Sequence, residues 1–182
     1  LVLLLALVLV RGILYAFLSP PWQGPDEPTH YHYLAALAAD DQILPASIPV
    51  LPDVYAAVWE NASKYRIWDY TDWPIRGYIR EVAPEERFLA RAGGLYYRYL
   101  FPVYELTRSW PLESQLFALR AWSAVLNTLT VAAVYALART ILNDDTRRER
   151  ALAWAAAALI AFRPMAMFIG ASLNDDNLVT PL

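Results

Sequence analysis

Long apolar runs alternate with one extended polar and aromatic stretch. Leu1 to Val10 is continuously apolar, Arg11-Gly12 interrupts it, and Ile13 to Leu18 resumes it before Ser19-Pro20-Pro21 ends the helix. A run of about 18 residues nearly spans a bilayer core. It has neither the charged leader nor the small-x-small site of a cleaved signal peptide, so it reads as an uncleaved span. A second run, Leu116 to Leu142, carries Arg120, Asn127 and Arg139, and a third, Ala151 to Ile169, carries Arg163-Pro164. Both are long enough to cross. The segment between them holds Arg147, Arg148 and Arg150, and short basic loops stay in the cytoplasm. The pattern predicts an all-α integral membrane protein. Its order is a span over 1–18, an external loop over 19–113, a span over 114–142, a cytoplasmic loop over 143–150, a span over 151–169, and a second external loop with the start of the next helix over 170–182. Apolar sequence at both ends makes the chain read as a fragment of a larger helical bundle.

The first loop is too long and too aromatic for a plain linker. Trp22, Trp59, Trp68, Trp73 and Trp110 suit the boundary between headgroups and water, and prolines divide the loop into short interfacial helices. Pro28 suits a first helical position, which predicts a helix from about Pro28 to Ala39. Val54 to Ile67, Pro84 to Ala92 and an amphipathic Leu95 to Leu106 are the other candidates. Asn61-Ala62-Ser63 matches a glycosylation sequon and is assigned no role.

Composition sharpens this picture. Hydrophobic residues make up 58% of the chain while 18% are charged, which requires apolar spans beside a polar region. A net charge of -3 without a basic tail argues against nucleic acid as partner. The chain has no cysteine, which excludes disulfides and thiolate sites. Gly-rich phosphate loops and nucleophile elbows are also missing.

Chemistry concentrates at the ends of spans. Asp26 and Glu27 stand just outside the first one, at a helix start whose dipole and free N–H groups favour carboxylates. They either cap that helix or do chemistry. Asn174-Asp175-Asp176-Asn177 follows the third span on the same side, and two acidic clusters there either bind a divalent cation, Mg or Mn, through Asp26 and Asp176, or divide base and binding roles. His30 and His32 lie on different sides of a helix and make a poor metal pair, while His30 is four residues after Asp26. Arg11, Arg120 and Arg163 each lie roughly 6–10 Å inside the outer end of their span. Either each snorkels to the headgroups or the three converge on a lipid phosphate. With Ser123, Asn127 and Thr130 extending a polar stripe from Arg120, convergence is expected.

Pro20-Pro21-Trp22-Gln23-Gly24-Pro25-Asp26-Glu27-Pro28-Thr29-His30 resembles the first-loop segment of the GT-C superfamily of membrane glycosyltransferases, which includes protein O-mannosyltransferases and the lipid A aminoarabinose transferase. Leu95-Tyr96-Tyr97 resembles the end of a His-Pro-Pro-Leu-Tyr-Tyr segment, although Ala92-Gly93-Gly94 replaces its first half. Phe117 to Leu126 with Val134 to Arg139 is similar to the family's second span, and Asn174-Asp175-Asp176-Asn177-Leu178 resembles its second-loop motif. The resemblance implies transfer of a sugar from a polyprenyl-phosphate donor to an acceptor at the external face of a plasma (inner) membrane. Asp26 would be base or metal-site acid, Glu27 would orient the acceptor or a cation, and Asp176 would be the second-loop acid ahead of Asp175. His30, Tyr96 and Tyr97 are matched as acceptor-side or accessory residues. A transporter or lipid-binding protein that holds a cationic ligand with the same acids is the alternative.

Overall fold

The computed structural model of the chain describes residues 1–40, 51–66, 94–142 and 146–179. Every regular element among the described residues is a helix: α1 (Val2–Leu18), α2 (Glu27–Asp40), α3 (Pro52–Lys64), α4 (Gly94–Leu106), α5 (Leu112–Leu142), α6 (Arg147–Ala161), α7 (Pro164–Gly170) and α8 (Asp176–Val179). Expected helices over 28–39, 54–67 and 95–106 correspond to α2, α3 and α4, whereas the one over 84–92 lies outside the described residues.

Helix α5, with 31 residues, is the one described helix that is long and apolar enough by itself to cross a membrane. Helix α1 is apolar but has 17 residues, a rise of about 25 Å against a hydrocarbon core of about 30 Å. The third expected span is not one continuous helix. Its two parts, α6 and α7, meet at a bend of 62°. Pro164 causes the break: it offers no N–H to the preceding turn and biases Arg163 toward the extended conformation, seen as φ -68 and ψ 119. The expected basic loop is also shorter than 143–150. Thr146 and Glu149 form a reciprocal capping box, so Arg147, Arg148 and Arg150 belong to the first turn of α6.

Helix α5 is the central post on which α1, α4, α6 and α7 pack. One apolar cluster, built on Leu4, Val8, Val131, Ala157, Ala161 and Met167, joins α1, α5, α6 and α7. Helices α1 and α5 approach closely at Gly12, where a Cβ would stand 2.8 Å from the Ala124 Cβ. The second cluster is aromatic: Trp22, Tyr31, Tyr33, Tyr96, Tyr97 and Tyr104 pack with Leu100, Leu116 and Leu119, binding α2 and α4 to the first half of α5. Asn61 fastens α3 to the same region by donating to the Glu113 carboxylate at 3.0 Å. The loop segments that precede α2 and α8 lie over one end of α1 and α5.

Candidate active site

The loop between α1 and α2 turns sharply at two residues with left-handed backbones, Trp22 (φ 64) and Asp26 (φ 57). Asp tolerates this conformation better than most residues because its short polar side chain bonds locally. The turn separates two neighbouring acids. Asp26 is exposed, whereas Glu27, the first residue of α2, has 0% exposure.

Glu27 meets Arg120 of α5, itself 1% exposed, in a two-point ion pair with Nε to Oε1 at 2.7 Å and Nη2 to Oε2 at 2.6 Å. The same carboxylate accepts the Gly24 N–H at 3.1 Å and the Leu173 N–H at 3.0 Å. A carboxylate has about four lone-pair sites, and all are occupied. Arg120 is equally saturated: besides Glu27 it donates to the carbonyls of Ala16 (3.1 Å), Ser19 (2.7 Å) and Pro20 (2.9 Å). Its five N–H donors thus all have acceptors in the protein. This corrects two expectations. Glu27 has no oxygen left to orient an acceptor or a cation, and Arg120 has no donor left for a lipid phosphate. Both act as a knot that ties the end of α1, the first loop, α5 and the second loop together. Gly24 makes room for it, since a Cβ there would lie 2.6 Å from Glu27 Cδ and 2.7 Å from Ser172 Cβ.

The expected convergence of three arginines is therefore absent. Arg11 donates to the Ala161 carbonyl at 3.3 Å and lies over the Phe162 ring at 5.0 Å, closing the C-terminal end of α6. Arg163 follows at the break and is exposed. These two are brought to the same bend, and Arg120 is committed elsewhere.

The second loop lies against the first. Asn174 donates its side-chain N–H to the Pro25 carbonyl at 3.4 Å and its backbone N–H to the Tyr96 hydroxyl at 3.0 Å, and Tyr96 in turn bonds Ser123 of α5 at 2.9 Å. Tyr97 reaches His30 Nδ1 at 2.6 Å, and the opposite ring nitrogen stands 4.0 Å from Asp175. Asp26, His30, Tyr97 and Asp175 therefore sit together, with Asp176 at the exposed start of α8. Burial pushes His30 down to about 4, with the negative charge of Asp26 opposing, so the ring is neutral near pH 7. Burial pushes Asp175 up, and the neighbouring Asp176 adds to the effect. Tyr97 is also raised, by burial and then by the Asp175 charge.

Comparison with protein-family models, characterised proteins and solved structures finds no match. The functional reading thus rests on the site.

Two carboxylates of separate loops, one exposed and one half-buried, are placed to take or hold protons beside a neutral imidazole. Among the described residues, no three His, Asp or Glu side chains are gathered for a metal ion. The oxygens of Glu27 are filled by N–H donors. Sequence reasoning missed Gly24, Ser172 and Leu173. A glycine between Gln23 and Pro25, in a loop otherwise rich in bulky residues, was the one available signal for close packing.

Proposed function

We propose that the protein is a membrane glycosyltransferase that moves a sugar from a polyprenyl-phosphate donor to an acceptor at the external membrane face. The observation that carries this reading is the joining of the two acidic loops, through Glu27 and Leu173, into one site with Asp26 at its exposed side. The first-loop, Leu95-Tyr96-Tyr97 and second-loop segments that resemble the GT-C superfamily meet there. In the proposed reaction the Asp26 carboxylate takes the acceptor hydroxyl proton, the acceptor oxygen attacks the anomeric carbon, and the bond to phosphate breaks with its electron pair leaving on the lipid phosphate. Direct displacement inverts the anomeric centre. Of the three arginines expected to meet that phosphate, Arg11 and Arg163 at the α6–α7 break remain.

In this reading α1, α5 and the bent pair α6 and α7 are three crossings, the first loop is external, and the arginines opening α6 are cytoplasmic. Full-length protein in detergent, incubated with radiolabelled polyprenyl-phosphate sugars, is expected to transfer or release label. Asp26→Asn should abolish this while preserving expression, because it removes the base and keeps the shape. Wild-type turnover in that variant would refute the assignment.

A further inference from the structure

His30 is a buried imidazole on α2 with a partner on each nitrogen side, and the proposed reaction does not use it. Its Nδ1 is 2.6 Å from the Tyr97 hydroxyl, and its Nε2 points to Asp175 at 4.0 Å. Tyr97 approaches from α4, Asp175 from the second loop, and Asp26 from the residue preceding α2. Tyr97 is buried, and its ring packs on that of Tyr33 with centroids 3.9 Å apart. The hydroxyl lies within hydrogen-bond distance of His30 Nδ1, and a phenol donating there makes that ring nitrogen the acceptor. A neutral imidazole that accepts at Nδ1 carries its proton on Nε2.

We propose that Tyr97 and His30 form a hydrogen-bond relay that fixes the imidazole as the Nε2–H tautomer facing Asp175, and that this makes Asp175, rather than Asp176, the positioned acid of the second loop. The claim about activity rests on the glycosyltransferase reading; the tautomer does not. The low affinity of buried His30 for a second proton supports it, because a doubly protonated ring would leave Tyr97 without its acceptor. Asp175 is 18% exposed, open enough to meet an acceptor and close enough for a movement of about 1 Å to complete the bond from Nε2. Asp176 is the more exposed of the two acids. Its backbone N–H is held by the Asn174 side chain at 2.8 Å, and its carboxylate belongs to the exposed start of α8. His30 and Tyr97 are thus positioning residues.

Nitrogen-15 NMR of histidine-labelled, full-length protein in detergent tests the relay, with His32→Gln used to assign the His30 signals. The expected spectrum has a protonated Nε2 and an unprotonated Nδ1. Tyr97→Phe should turn this single tautomer into a mixture. An Nδ1–H ring, or no response to Tyr97→Phe, would overturn the relay irrespective of enzyme activity. In the sugar-transfer assay, Asp175→Asn should lose about tenfold or more and lose more than Asp176→Asn. His30→Gln, which keeps an N–H donor, should retain more activity than His30→Phe. Equal losses in the two His30 variants, or a larger loss in Asp176→Asn, would overturn the role of Asp175. A wild-type protein that transfers no sugar but shows the expected tautomer would refute the glycosyltransferase reading and leave the relay standing.

Discussion

Replacing Glu27 with Gln should be among the most damaging single changes available to this chain. The substitution keeps the shape but removes the charge opposite Arg120, which is 1% exposed and cannot turn to water. It also replaces an oxygen that accepts N–H groups with an amide that donates. Whichever way the amide is turned, two of the donors from Arg120, Gly24 and Leu173 lose an acceptor. Removing one partner of a buried ion pair costs about 3–5 kcal/mol. For a chain of 182 residues that corresponds to a fall in Tm of roughly 6–20 °C. Thermal unfolding in detergent, followed by circular dichroism, measures it. A cycle with Arg120→Met isolates the pair, and its coupling should be at least about 2 kcal/mol. Loss of less than about 1 kcal/mol in Glu27→Gln, or additive single effects, would show that the knot is not what holds the loops together.

Gly24→Ala should destabilise by about 1–3 kcal/mol in the same assay, since its methyl would overlap both Glu27 and Ser172; an unchanged Tm would contradict the close packing. Acid should also destabilise the fold through His30, held down to about 4 against 6.5 for an ordinary histidine. Its contribution is intact above pH 6.5 and falls by about 3 kcal/mol as pH drops toward 4, because the unfolded chain takes up the proton first. Asp175, pushed up by burial, acts in the opposite direction, so the test compares denaturation of wild type with His30→Gln, whose stability should vary less across that window. Cysteines introduced at Asp53 and Arg147 should divide by sidedness: an impermeant thiol reagent added to intact cells should label the first and not the second, and the reverse pattern would overturn the proposed orientation.

Breaker residues made much of the helical arrangement readable. Pro28 fixed the start of α2 to within a residue, and the expected helix over 95–106 matches α4 as closely. Arg163-Pro164 was equally visible, yet hydropathy continued through it, and an apolar pattern alone does not distinguish a straight span from one bent at a proline. Side-chain roles were harder to read because adjacent acids look alike in sequence. The helix start sends Glu27 inward and leaves Asp26 outside, and the turn before α8 makes the reverse choice for Asp175 and Asp176. Arg120 was expected to meet a lipid phosphate, but its partner Glu27 was 93 positions away, and periodicity carries no signal over such a distance.

The same knot sets an order of assembly. Glu27 leaves the ribosome well before Arg120, and Leu173, its last partner, follows 146 residues later. At about 5–20 residues per second, this interval lasts roughly 7–30 s. Until Arg120 emerges the carboxylate has to remain hydrated, and until Leu173 emerges the first loop has no second loop to rest on. The site therefore closes late in synthesis, when the segment after α7 arrives, and a nascent chain stopped at the end of α5 would hold the ion pair without the backbone N–H that joins the two acidic loops.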